Sequence, residues 1–229
     1  MKGPSTPITS LATLMSALSG EPCNLDLQTS VACPYSIALP PGFSLTGKDK
    51  DRCVLSFSNG DGIGLTANNQ VSGITIIAMS SARAIYTQAG ISDMGTITLS
   101  DLAVTGQVSI LTRAGTDRLD LVVDGLRIAA CDSRRYSEQP QKYGVNVYQG
   151  ALTVYNFNGD ANSRFDASLT NVTVGSRNAP VLGSGIFVSG FGDKGGFVEL
   201  ETLTTGAVYS TGMLPYGTAD IITGGVFIV

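Results

Sequence analysis

The sequence predicts an all-β protein whose short strands stack as the coils of a solenoid, preceded by one short helix. Three observations carry that prediction. From Pro22 onward the apolar residues fall in short runs rich in Ile, Val, Leu and Thr, broken by Gly, Asn and Asp. Two sequence motifs recur along the chain. They are interleaved, with repeat spacings mostly of twenty-odd residues, the size of one supersecondary unit in a stacked array.

The helix comes first. Leu11, Leu14, Met15 and Leu18 follow the i, i+3, i+4, i+7 spacing of a single apolar stripe, with Thr9 or Ser10 as N-cap and Gly20 as terminator. The expected organisation is one domain over residues 1–229, with a capping helix at 8–20 and coils over 22–229.

The first motif reads apolar, any residue, small or turn-forming residue, then alternating apolar. It occurs as Val71-Ser72-Gly73-Ile74-Thr75-Ile76, Leu99-Ser100-Asp101-Leu102-Ala103-Val104 and Val123-Asp124-Gly125-Leu126-Arg127-Ile128. It returns as Leu169-Thr170-Asn171-Val172-Thr173-Val174 and, more weakly, over Leu200–Thr205. Successive copies start 28, 24, 46 and 31 residues apart. Ile74, Ile76, Leu102, Val104, Leu126, Ile128, Val172 and Val174 are the expected interior rows.

The second motif occurs as Gly62-Ile63-Gly64-Leu65, Gly144-Val145-Asn146-Val147, Gly185-Ile186-Phe187-Val188 and Gly225-Val226-Phe227-Ile228, with degenerate copies at Ala84–Tyr86 and Gln107–Ile110. A β-sandwich also has many short strands, but it would not repeat the same pair of motifs in the same order. Each unit can bury its apolar face only against the next, so stacking follows.

The stretches "SIALPPGFSLTGKDKDRCVLSF" and "GIGLTANNQVSGITI" resemble the opening coils of the pectin-lyase-like superfamily, in which a Pro-Gly turn precedes a strand and the next rungs follow. The likeness covers the chain from about residue 8, and the chain also resembles, more weakly, an uncharacterised bacterial β-helix family that would extend past residue 229. The resemblance implies a single-stranded right-handed parallel β-helix whose N-terminal α-helix caps the open end of the core.

Composition narrows the function. Hydrophobic residues make up 43% of the chain, which fits a packed protein and argues against disorder. A net charge of −4 counts against a nucleic-acid partner, and no apolar run approaches the ~20 residues of a membrane span. The N-terminus lacks the long apolar core of a secretory signal, so the cytoplasm is the default expectation. Cys23, Cys33, Cys53 and Cys131 match no zinc spacing, and free, mostly buried thiols are expected, although a local disulfide among the first three stays open. There is no histidine, which removes His-based triads, metal sites and acid–base chemistry together.

The most charged stretch, "CDSRRYSEQPQKYG" at 131–144, stands out in a chain that is 14% charged. Gln107 to Gly144 is 37 residues where earlier steps are 22 and 23, so Asp132 to Tyr143 is the expected excess, a loop leaving the stack at a corner. The same corner would hold Arg83 and Arg177. With Arg134, Arg135 and Lys142 these make a basic ridge, and Tyr136 and Tyr143 offer stacking faces for sugars. Guanidinium groups grip carboxylates and sulfates in bidentate fashion, so Arg83, Asp132, Arg134, Arg135, Tyr136, Lys142, Tyr143 and Arg177 are the candidate site for an anionic polysaccharide. The weightier competing reading is a solvated loop whose arginines pair with Asp132 and Glu138.

Asp93, Asp117, Asp160 and Asp193 are expected at the opposite corner. They read as calcium ligands or catalytic carboxylates only against the stronger expectation of turn formation; no cofactor is expected. Asn68 and Asn69 are expected in a left-handed bend. Asn171-Val172-Thr173 matches a glycosylation acceptor but lies inside a strand motif.

Two functions follow. The superfamily resemblance implies a polysaccharide lyase with Arg134, Arg135 or Lys142 as base and Tyr136 as proton donor. Against it, the paired-Asp and Gly-His-Gly motifs of the hydrolase branch do not occur, and where the lyase branch places several acids on one strand face this chain offers the pair Asp120 and Asp124, four apart. The favoured reading is a non-catalytic binding or assembly module. The chain's last motif copy leaves a bare final coil, so a longer protein or self-association through the C-terminal coil is expected.

Overall fold

A computed structural model describes residues 5–113, 115–134, 137–138, 146–156, 163–189, 197–206, 208–209, 221–222 and 226–228. Its strands lie in two main parallel sheets, and the chain passes back and forth between them. The first sheet has two arms. One arm contains Ser5–Ile8, Asn24–Leu27, Ser44–Gly47 and Gln70–Ser72; the other contains Val31–Cys33, Val54–Phe57 and Thr75–Ile77. The arms merge in the long strands Asp93–Thr105, Arg118–Ala129, Arg164–Val174 and Phe197–Thr205. The second sheet is built from Ile37–Leu39, Ile63–Leu65, Arg83–Thr87, Gln107–Thr112, Gly150–Asn156, Ser184–Ser189 and Val226–Ile228. Among the described residues the only antiparallel strand pair joins Ser137–Glu138 to Asn146–Tyr148 in a small side sheet.

The first motif sets the register of the first sheet. Leu99 pairs with Val71 and with Val123, Val123 with Leu169, and Leu169 with Leu200. The expected interior rows, from Ile74 and Ile76 to Val172 and Val174, are all buried in one apolar core. Each such side chain contributes roughly 1.5–3 kcal/mol relative to exposure. The small third residue of the motif is the bend between the arms. Gly73, Asp101, Gly125, Asn171 and Thr202 share one column and all hold positive φ, between 51 and 74°. Gly and Asn or Asp adopt that conformation at least cost. Asn68 bends the same way at φ 52°. Asn69 does not; it is buried, its Oδ1 accepting from Thr66 N–H and its Nδ2 donating to the Pro40 and Phe43 carbonyls.

Two expectations about the start of the chain change. The helix is Leu11–Leu18, with Ser10 as N-cap in a capping box with Thr13 and Ser19, not Gly20, as C-cap. Before it the strand Ser5–Ile8 pairs with Asn24–Leu27 as the outermost strand of the sheet. Pro7 is tolerated there because an edge strand need not donate on its free side. Leu14 is fully buried while Met15 is half exposed, so the stripe that packs on the core is narrower than the spacing implies.

The second motif holds at every copy but one. Ile63 pairs with Ile85, Ile85 with Val108, and Ile186 with Val226. Gly144-Val145-Asn146-Val147 is not the next strand of this sheet: Val108 pairs with Leu152, and Asn146–Tyr148 belongs to the side sheet. The step is therefore 44 residues rather than 37, and the excursion runs on to about residue 149.

Candidate functional site

Arg83 opens its strand one layer beyond Asp61, because Ile63 pairs with Ile85. Asp61 accepts from the Arg83 backbone N–H at 2.8 Å and from its Nε and Nη2 at 3.0 and 2.5 Å. The guanidinium also lies over the Tyr86 ring, 4.6 Å from its centroid. This clasp neutralises the arginine and fixes its plane.

The corner that follows the first motif does stack. Asp132 N–H donates to the Ser80 carbonyl at 2.7 Å, and Ala130 N–H donates to that of Ala179 at 3.4 Å. Arg134 folds back on Asp132, Nε to Oδ1 at 2.9 Å and Nη2 to Oδ2 at 2.8 Å, while its backbone N–H reaches Oδ1 at 3.2 Å. That side-chain hydrogen bonding holds the Asp132 carboxyl below its ordinary range. The expected loop pairing of Arg134 with Asp132 is thus present. Arg177 is exposed on the turn between Ser176 and Ala179. Arg135, Tyr136, Lys142 and Tyr143 lie outside the described residues.

The acids behave mainly as turn and surface groups. Asp93 accepts from Gly95 N–H at 2.8 Å, as a turn former does. Asp120 and Asp124 both face outward, since Leu119, Leu121 and Val123 between and beside them are buried. Asp120 pairs with Arg118 and lies 3.3 Å from Arg164, which also holds Asp166 at 2.7 Å. Asp124 accepts from Asn171 Nδ2 at 2.9 Å. Asp160 and Asp193 lie outside the described residues. All four cysteines are free, and burial raises the Cys33 thiol to about 11.

A groove of about 740 Å³ lies on the outer face of the first sheet, and nothing in the sequence signals it. Its floor is two columns of small polar residues set by the register: Ser5, Asn24, Ser44 and Gln70 in one, Asp26, Thr46 and Ser72 in the other. Asn24 Nδ2 donates to Ser5 Oγ at 3.3 Å, Thr46 Oγ1 to Asn24 Oδ1 at 3.0 Å, and Gln28 Nε2 to Asp26 Oδ2 at 2.5 Å. Exposed Lys48 stands at the rim. The groove therefore offers amide, hydroxyl and carboxylate groups at strand spacing, ~4.8 Å from layer to layer.

No protein-family model matches the chain, and no curated protein matches it significantly.

Proposed function

We propose that the chain is a right-handed parallel β-helix serving as a non-catalytic carbohydrate-binding module, with the polar groove on its first sheet as the ligand site. The observation that supports this reading is the pair of polar columns. They present hydroxyl, amide and carboxylate groups in a regular row, the chemistry that sugar hydroxyls satisfy. Anionic polysaccharides remain the ligand class that Lys48 and the loop arginines favour, but Arg83 and Arg134 contribute less charge than isolated arginines would. A lyase mechanism draws less support. A guanidinium held bidentate by Asp132 is stabilised in its protonated form, which opposes a role for Arg134 as base.

The test pairs a glycan-binding screen over neutral, uronate and sulfated oligosaccharides with an activity screen on the same set. Asp26→Ala with Gln70→Ala should weaken binding about tenfold or more, the loss of one or two hydrogen bonds to a ligand. Absence of glycan binding, or binding that the double variant leaves unchanged, overturns the assignment; turnover of any substrate overturns its non-catalytic part.

A further inference from the structure

The turn that carries the chain from Val54–Phe57 in the first sheet to Ile63–Leu65 in the second reads Ser58-Asn59-Gly60-Asp61-Gly62. It is fastened at both ends. Ser58 N–H donates to the Cys33 carbonyl at 3.2 Å, and Gly62 N–H donates to the Arg83 carbonyl at 2.7 Å. Asp61 is held in the Arg83 clasp, and Gly62 is buried where a Cβ would overlap the Ala84 carbonyl. The middle of the turn differs. Asn59 and Gly60 are exposed, and among the described residues neither has a hydrogen-bond partner. Gly60 holds φ at 74°, with nothing within 4 Å of where a Cβ would stand. By contrast, the amides of Asn24, Asn68, Asn69 and Asn171 are all hydrogen-bonded. The residues that follow them are Leu25, Asn69, Gln70 and Val172, all of which carry a Cβ.

We propose that Asn59 is a site of spontaneous deamidation and isomerisation, with Gly60 as its intramolecular nucleophile. The Gly60 backbone nitrogen gives its proton to solvent base and attacks the Asn59 Cγ. A bond forms between them and the Cγ–Nδ2 bond breaks. The leaving nitrogen takes a proton from water and departs as ammonia, so a cyclic succinimide replaces the side-chain amide. Water then opens the ring at either carbonyl. Opening at Cγ restores the ordinary backbone with aspartate at position 59. Opening at the main-chain carbonyl leaves isoaspartate, whose backbone runs through Cβ and Cγ and is longer. Closure needs an amide nitrogen that no partner holds and a neighbour without a Cβ in the way, and Gly60 meets both needs. The Asp61-Gly62 dipeptide meets the second but not the first. Its Gly62 N–H is bonded to Arg83, and its carboxylate is charged and clasped by the same residue. The turn therefore exposes one reactive dipeptide and protects the next.

The folded full chain, held in mildly alkaline buffer and then digested, should yield a peptide in which Asn59 has become aspartate and isoaspartate. Its pace should match that of the urea-unfolded chain. The isoaspartate should accept a methyl group from a protein-isoaspartate methyltransferase, while Asp61 in the same peptide stays ordinary aspartate. Gly60→Ala and Asn59→Gln should each abolish the conversion. Reading single peptides keeps the result apart from Asn158-Gly159, which lies outside the described residues. Asn59 left intact in the folded chain overturns the proposal, and that measurement needs no variant to fold. Isoaspartate forming equally at Asp61 also overturns it, because the clasp would then not choose between the two dipeptides.

Discussion

Along Arg118–Ala129 of the first sheet, buried side chains alternate with exposed or half-exposed ones, interrupted only at the Gly125 bend. Along Gln107–Thr112 of the second sheet all six residues are buried. The two strands are neighbours in sequence and of similar β character, yet one has a solvated face and the other has none. A half-solvated strand can place any polar residue outward at no cost. A strand covered on both faces has only internal partners for its polar groups, and here Gln107 Oε1 and Ser109 Oγ are buried with none among the described residues. Gln107 Nε2 accordingly donates to Gln149 Oε1 and the Gly150 carbonyl, both at 3.0 Å, and Thr112 Oγ1 donates to Asn156 Oδ1 at 2.6 Å.

The largest effect that can break this contrast is a truncation on the outer face of each sheet. Tyr155 is buried there on the second sheet, its ring edge-on to Phe187 at 5.5 Å, while Val122 is exposed on the first. Tyr155→Ala should cost about 3–5 kcal/mol, in line with other buried aromatic truncations. Val122→Ser should stay within about 0.5 kcal/mol. Denaturant unfolding checks both, and similar costs for the two would mean that the sheets do not differ in this way.

A smaller effect separates positions within the column of bends. A Cβ on Gly73 would overlap the Gly47 carbonyl oxygen, whereas one on Gly125 would lie 3.4 Å from Asp101 N. Gly73→Ala combines left-handed strain with that overlap and should cost about 2–4 kcal/mol. Gly125→Asn places a residue type already found in the column at Asn171, and should stay within about 1 kcal/mol. Melting curves that rank the two the other way would show that sterics between layers do not govern the bend.

The smallest effect concerns the corner between the sheets. Asp132 has a lowered carboxyl pKa because Arg134 bonds its charged form. Its contribution is therefore fully present above the ordinary carboxylate range and is lost as pH falls through the lowered native value. Asp132→Asn should cost about 1 kcal/mol or less at neutral pH for such a half-exposed pair, and the gap should close in acid. Unfolding midpoints at both pH values decide it; a gap that persists in acid would assign the effect to packing.

The same contrast explains what the sequence revealed. In the first sheet, alternation and the Gly, Asp or Asn of each bend were legible, because one face is core and one column requires positive φ. In the second sheet Gly144-Val145-Asn146-Val147 looked like the next strand, while Gly150–Asn156, with buried Thr153 and Asn156, carries no alternation to announce it. Ser5–Ile8 was unreadable because Pro7 argues against a strand everywhere except at an edge. Among the candidate site residues, the link from Arg134 to Asp132 is local and was anticipated. That from Arg83 to Asp61 depends on a register step, and Asp61 was missed. The groove was invisible because Ser, Thr and Asn are ordinary surface residues until a register stacks them.

The register steps also set how the chain finds its fold. Through the early layers each strand meets its partner 19 to 28 residues away, as Thr6 meets Leu25 and Val71 meets Leu99. Between Val108 and Leu152, and beside it between Val123 and Leu169, the separation rises to 44 and 46. Doubling a closed loop costs only about 0.6 kcal/mol of chain entropy, so the charged excursion is thermodynamically cheap to carry. Kinetically it is different. Layers zip by short closures on either side of it and must then be joined by the longer one. Closing the longer step should therefore be slower than closing the layers on either side of it.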